Sequence, residues 1–273
     1  MICPVCPHHC TLPENGTPGR CRARRNVNSL STPIGYGKIT SIALDPIEKK
    51  PLAYFHPGHS VLSVGGAGCN MDCYFCQNDS ISCAGPLDIP MRGMPPQELA
   101  HLAQTLTPRG NIGVAFTYNE PLICYEYVID TARLLKAQNQ KTVVVTNGNF
   151  CPEAMPELFA LVDAFNIDLK GFTAAWYRRL GGDLSCVQRF IQAAVASAHV
   201  ELTTLVVPGE NDSPQEMDGL ARWMASIDPN IPLHINRFFP RRHARGAPTP
   251  ISTLHALADI ARQHLTRVQV GNV

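Results

Sequence analysis

Cys69, Cys73 and Cys76 lie in Gly65-Gly66-Ala67-Gly68-Cys69-Asn70-Met71-Asp72-Cys73-Tyr74-Phe75-Cys76-Gln77-Asn78, directly after a short apolar run. Three thiolates at CxxxCxxC spacing can hold three irons of a [4Fe-4S] cube and leave the fourth iron open. An iron with a free site can bind a small molecule and pass it an electron, whereas a cluster that only carries electrons usually closes its shell with a fourth cysteine. The alternatives are a zinc loop and three unrelated core cysteines. Zinc wants a closed fourth ligand. None follows at a matching spacing, Cys83 being the nearest candidate.

A second set, Cys3, Cys6, Cys10 and Cys21, reads C-x2-C-x3-C-x10-C, with Pro4, Pro7, Pro13, Gly16 and Gly19 turning the chain between the thiols. So short a segment cannot bury a core, and a bound metal would supply the missing folding free energy. Tetrahedral sulfur suits zinc or an iron–sulfur cluster. Structural zinc is the preferred reading, a second cluster the next, and thiols without metal or in a redox role the remainder. His8 and His9 are substitute ligands, expected to be exposed.

The chain has 273 residues and a net charge of +1. That length suffices for one large α/β domain with a sizeable core. The charge gives no field that argues for nucleic acid or a membrane surface. No apolar run reaches about 18 residues, so no membrane-spanning helix is expected. The start, Met1-Ile2-Cys3-Pro4, lacks the apolar region of a signal peptide, and the expected location is cytoplasmic. Eleven cysteines in a reducing compartment argue for metal binding or catalysis rather than disulfides. Cys83, Cys124, Cys151 and Cys186 are scattered and expected as small buried hydrophobes.

These side chains need elements to position them. Residues 1–30 show no helix or strand period, and residues 31–59 read as a connector. Within the connector, Gly35–Leu44 is a strand or hairpin arm and Asp45–Leu52 a turn between prolines. From residue 60, strands are expected at Ser60–Val64, Ile112–Thr117, Lys141–Thr146, Ala164–Leu169, Val200–Val207 and Pro232–Phe238. Helices are expected at Pro96–Thr105, Leu122–Gln138, Pro152–Leu161, Ala174–Leu180, Cys186–Ala196, Pro214–Ala225 and Ile251–Leu265. Strands alternating with helices imply parallel βαβ units. The expected fold is α/β, an open six-stranded parallel (β/α) barrel over 60–273, with a doubly wound sheet as the competing architecture. Chemistry in parallel α/β folds sits at the C-terminal strand ends. Gly68-Cys69, Tyr118–Pro121, Asn147–Asn149, Asp168–Gly171, Pro208–Asp212 and Arg237–Arg242 should therefore share one rim.

Taken together these motifs resemble the radical SAM enzymes of the AmmeMemoRadiSam type, which are similar to glycyl-radical-enzyme activases. The resemblance runs over nearly the whole chain. It rests on the N-terminal Cys-Pro-Val-Cys-Pro-His-His-Cys with Gly19–Arg22, on Asp45–Leu52, on Gly68–Asn78 and on Phe116–Pro121. Thr146–Gly148, Asn166–Lys170, Val206–Gly209 and His234–Pro240 complete it. It implies that a [4Fe-4S] cluster on Cys69, Cys73 and Cys76 cleaves S-adenosylmethionine to methionine and a 5′-deoxyadenosyl radical, which takes hydrogen from a substrate. The cofactor carries the hard chemistry and the protein positions it.

The resemblance also implies roles for individual residues. Phe75 would lie against the adenine. Asn119 and Glu120 would belong to the element whose backbone receives the ammonium, although Tyr118 and Asn119 stand where the wider superfamily has glycines. Thr146, Asn147, Asp168 and Lys170 would face the carboxylate and ribose, and His234 would stand on the last strand as in activases. The implied partners are a protein substrate and an electron donor such as flavodoxin or ferredoxin, with a small molecule or RNA as the other substrate classes. A non-catalytic metal-binding docking protein is a third reading. Arg237, Arg241, Arg242, His243 and Arg245 can hold a carboxylate or phosphate, or form a solvated loop, the reading preferred for Arg242 and Arg245. Longer relatives continue past Gly271-Asn272 into a cysteine-bearing tail, and no function tied to that tail is expected here.

Overall fold

The computed structural model describes residues 1–273, and its first regular element is a hairpin inside the stretch expected to lack strand. β1 (Arg24–Val27) pairs antiparallel with β2 (Leu30–Pro33) around Asn28 and Ser29, both left-handed at φ 52 and 60. A two-residue hairpin turn needs that backbone. Four-residue strands are too short for a period to show. Arg24 is buried, and its guanidinium forks onto Glu126 at 2.9 and 2.6 Å. Cys3, Val5, Cys6, Leu12 and Ala23 pack into the main hydrophobic core, so the N-terminal segment is riveted to the rest of the chain.

β3 (Lys38–Ile39) leads into β4 (Ser41–Pro46), which runs antiparallel to β5 (Ser60–Gly65). The cysteine loop and a short α1 (Asp79–Ser82) come next. β6 (Arg92–Gly93) then pairs back onto β3, and α2 (Pro96–Thr105) follows. From there strand and helix alternate: β7 (Asn111–Phe116), α3 (Tyr125–Ala137), β8 (Lys141–Thr146), α4 (Pro156–Leu161) and β9 (Ala164–Asp168). Two helices, α5 (Ala174–Arg179) and α6 (Leu184–Val195), precede β10 (His199–Val206). The chain closes with α7 (Pro214–Ile227), β11 (Leu233–Arg237), α8 (Ile251–Ala261) and β12 (Val268–Gly271). Two expected helices open differently: Pro121–Cys124 and Pro152–Ala154 are 3-10 turns set off from α3 and α4.

The main sheet has the order β12-β11-β10-β9-β8-β7-β5-β4. Its six central strands are parallel, as expected, and β12 adds a seventh parallel strand with no counterpart among the expected ones. Because the order follows the chain with no reversal, right-handed crossovers put every helix on one face. The other face then curls into an interior, which is an open barrel. A doubly wound sheet would need a reversal of strand order, and none exists. β4 and β12 do not pair, so the barrel stays open on that side.

Helix starts are encoded locally. Ser213 accepts from Glu216 N–H ahead of Pro214, and Met217, Leu220, Ala221 and Met224 form the buried stripe of α7, an N-cap and proline start on an amphipathic helix. Asp183 and Thr173 cap α6 and α5 in the same way. The lower barrel interior is filled by Val61, Ala115, Val143 and Ala164 and plugged by Ile47 and Leu52. The stretch expected as a plain turn is thus the floor of the barrel. No helix is long and apolar enough to cross a membrane.

Candidate active site

Above that floor a cavity of about 350 Å³ opens at the C-terminal strand ends. Cys69, Cys73 and Cys76 form one wall, and Cys83 does not line it. Phe75, Asn119, Glu120, Thr146, Asn147, Asp168 and Lys170 line the rest, so the residues expected around the cofactor are brought together except His234, while Pro208–Asp212 and Arg237–Arg242, expected on the same rim, do not line the cavity. The cysteine loop leaves β5 through Gly68, whose φ is +97 and where a Cβ would stand 2.6 Å from the Cys21 carbonyl oxygen. Only glycine accommodates both the left-handed backbone and the approach.

Asn119 clamps this loop. Its Oδ1 accepts from Gly66 N–H at 2.8 Å and its Nδ2 donates to the Gly68 carbonyl at 3.1 Å. Glu120 is a buried strut between the ends of β7 and β8. It accepts from Leu122 N–H at 3.0 Å, Thr146 Oγ1 at 2.8 Å and Asn147 N–H at 2.8 Å. Burial pushes its carboxyl up to about 7 against the pull of these donors. Asn147 turns its amide towards the cysteine loop, donating to Asn70 Oδ1 at 2.8 Å and lying 3.6 Å from Cys69 Sγ. Burial also raises the Cys69 and Cys73 thiols, Cys73 to about 11. Binding to iron overrides such a rise, because a metal deprotonates a coordinating thiol outright.

Lys170 Nζ donates to Asp168 Oδ2 at 2.8 Å. Burial pulls the lysine down, but the neighbouring carboxylate outweighs it and keeps the ammonium charged. The Lys170 backbone is pinned from three sides, its N–H donating to Tyr177 Oη and its carbonyl accepting from Trp176 and Asn211. Phe75 stacks on Trp176 at 6.0 Å between ring centroids, which fixes the ring at the cavity edge.

His234 is the exception. It sits below the cavity, where its Nε2 donates to Glu201 Oε2 at 2.7 Å. Glu201 also receives His199 Nε2 at 2.9 Å and the Ala53 and Tyr54 N–H groups of the floor segment. Side chains two apart on a strand share a face, and the β11 residue that reaches the cavity is Asn236.

Sequence reasoning placed Tyr118 on the rim but missed Lys50, Thr203, Asn236 and Asn272, and all five line the cavity. Lys50 is buried against Asp45 Oδ2 at 2.9 Å, and Tyr118 Oη donates to the same oxygen at 2.8 Å. Tyr118 has φ +72, a conformation uncommon for a non-glycine residue. It holds the place where glycine is usual without abandoning the left-handed turn. The Asp45–Leu52 motif and the Tyr118 departure are both visible in the sequence, but nothing there joins them. Arg242 was missed as well. Its Nη1 donates to Asp72 Oδ1 at 2.7 Å and to the Cys73 carbonyl at 2.9 Å, so it holds the cysteine loop rather than facing solvent.

Comparison with known proteins agrees with this geometry. The model of the Radical SAM superfamily matches residues 63–223. An uncharacterized protein of Methanocaldococcus jannaschii is 37% identical over 277 residues, covering 99% of this chain and 81% of its own. Among solved structures, a radical SAM methyltransferase from Sphaerobacter thermophilus superposes with a TM-score of 0.59 at 17% identity, over 80% of this chain and 67% of that one. A domain of pyruvate-formate lyase-activating enzyme from Bacteroides vulgatus gives 0.50 at 20% identity, over 58% and 98%. These structural likenesses speak to the fold alone.

Proposed function

The chain belongs to the radical SAM superfamily, and from that premise we propose that it generates a 5′-deoxyadenosyl radical that abstracts hydrogen from a protein substrate, in the manner of a glycyl-radical activase. Cys69, Cys73 and Cys76 would hold a [4Fe-4S] cluster, and the cavity beside them would take S-adenosylmethionine. The donor set fits. Three thiols share one wall, no fourth cysteine lines the cavity, and the glycine-lined loop lets backbone approach closely. The cluster, once bound and reduced, supplies the electron that breaks the sulfonium C–S bond.

The chain's own residues bind and orient. Phe75 offers a fixed aromatic face for the adenine. Lys170 offers a buried cation for a carboxylate, and Asp168 offers acceptors for hydroxyls or an ammonium. Glu120 serves the site by joining two strand ends rather than as a free carboxylate. Flavodoxin or ferredoxin would supply the electron, and a metal at Cys3, Cys6, Cys10 and Cys21, zinc or a second cluster, completes the reading.

The observation that carries the proposal is the set of three thiols lining a cavity of about 350 Å³. That volume lies at the low end of small-ligand pockets, roughly 300–1,000 Å³, so it suits one ligand of cofactor size. The resemblance of its motifs to those of glycyl-radical-enzyme activases favours a protein as the substrate. A small molecule or RNA is the second reading, since the rim recognises the cofactor and not the substrate.

The test is anaerobic reconstitution of wild type and Cys73→Ala, followed by S-adenosylmethionine and a strong reductant. Wild type alone should gain a redox-active cluster and form 5′-deoxyadenosine. A cluster-replete wild type that never cleaves S-adenosylmethionine would leave a binding role. A glycyl-radical doublet on a co-encoded partner would support the activase reading, whereas deoxyadenosine formed only with a small molecule or RNA would replace it.

A further inference from the structure

Cys3, Cys6, Cys10 and Cys21 all line one narrow cavity between Leu12, Arg24 and Phe150. It has room for about one water-sized sphere, which suits a single ion and not a cube. Two of the four sulfurs, those of Cys3 and Cys10, already meet a polar partner. Ser31 Oγ lies 3.2 Å from Cys3 Sγ, and Arg20 N–H donates to Cys10 Sγ at 3.4 Å. Such contacts to sulfur belong to the outer shell that stabilises metal-bound thiolates. No three Cys, His, Asp or Glu side chains meet on one ion position, so closing the shell requires the thiols to turn into the cavity they share.

The same cavity has Asn70 on its far wall. His8 Nε2 donates to the Asn70 carbonyl at 2.7 Å. The Asn70 side chain in turn donates to the Asn149 carbonyl at 2.8 Å and accepts from Asn147 Nδ2 at 2.8 Å. Asn70 follows Cys69 directly, and the Cys21 carbonyl lies against Gly68. The N-terminal loops therefore brace the corner from which Cys69 projects.

We propose that Cys3, Cys6, Cys10 and Cys21 form a closed tetrathiolate site for one divalent ion of the zinc type, and that this site, through His8, holds the Asn70 corner in place. Zinc is redox-inert and accepts four sulfur ligands in a closed tetrahedron, which matches a bracing role. The second half rests on Cys69, Cys73 and Cys76 being cluster ligands. The first half stands on the N-terminal residues alone.

The experiment measures zinc and iron in the full chain after anaerobic purification and cluster reconstitution. Four proteins are compared: wild type, Cys10→Ser, His8→Ala and a variant with Cys69, Cys73 and Cys76 all changed to Ala. Wild type should carry one zinc beside about four irons. Cys10→Ser should lose the zinc. The triple variant should lose iron and keep zinc. His8→Ala should keep zinc yet release iron to a chelator several-fold faster.

About eight irons without zinc in wild type, or zinc unchanged in Cys10→Ser, overturns the tetrathiolate site. Unchanged iron release in His8→Ala overturns the bracing. Should Cys10→Ser not fold, cobalt(II) exchanged into wild type decides, since tetrathiolate charge-transfer bands support the site and their absence overturns it. Should the cluster reading fail, zinc in the triple variant still tests the first half.

Discussion

Arg242 and Cys73 stand 169 positions apart in the chain, and the Arg242 guanidinium donates to the Cys73 carbonyl at 2.9 Å. The same side chain reaches Asp72 at 2.7 Å, and the backbone beside it is tied down where His243 N–H donates to the Tyr74 carbonyl at 3.0 Å. The loop after β11 is thereby a latch over the cysteine triplet.

Breaking that latch should loosen the triplet without unfolding the barrel. A hydrogen bond from a charged group is worth about 1.5–3 kcal/mol, and the exposed Asp72 half of the contact adds little. Arg242→Ala should therefore release cluster iron to a chelator on the order of tenfold faster, with Arg242→Lys in between. A release rate equal to wild type in Arg242→Ala would show that the latch does not bear on the cluster.

The contrast between His234 and Asn236 predicts a separation of stability from binding. His234→Ala removes a buried donor to Glu201 and should cost about 1–3 kcal/mol of stability while leaving S-adenosylmethionine affinity near wild type. Asn236→Ala should leave stability near wild type and weaken binding. Denaturant melts and equilibrium dialysis on both variants check this, and the opposite pattern would return His234 to the cofactor site.

Much of the architecture was legible because each strand is a short apolar run bounded by polar turns, and β8 and α2 keep their expected bounds. The rim was legible for the same reason, since polar residues after a strand stand out. What escaped were features made by distant pairs. β12 is four residues long and gains its meaning only by pairing with β11. Lys50 enters the cavity because Ile47 and Leu52 plug the floor. Arg242 sits in a basic loop whose composition fits solvent equally well. His234 went astray because a strand residue two positions short of the rim has the same side-chain direction but lies one layer deeper.

Glu201 predicts the acid limit of the fold. Burial raises its carboxyl, but hydrogen bonds from His199, His234 and the Tyr54 N–H outweigh burial and hold it at about 2, below the ordinary 4.5. A carboxyl depressed in the folded state adds stability that is complete above its unfolded value and lost as pH falls through the folded one. Wild type should therefore lose stability between pH 4.5 and about 2. Glu201→Gln should be less stable at neutral pH and should lose less over that window. Equal slopes for the two proteins in acid denaturation would place the effect elsewhere.

Glu120 predicts the opposite trend at higher pH. Its carboxyl is raised from 4.5 to about 7, chiefly by burial, so the folded chain binds a proton that the unfolded chain has already released. That contribution is complete below pH 4.5 and disappears as pH rises through about 7. Glu120→Gln keeps its carbonyl for both Leu122 and Thr146 but points an amide at the Asn147 N–H on the other side. It should cost about 1–3 kcal/mol through the unsatisfied donor, and should flatten the stability profile between pH 4.5 and about 7. Denaturant midpoints measured across that window for both proteins decide the matter: a wild-type profile no steeper than that of the variant would mean that Glu120 does not carry the proton.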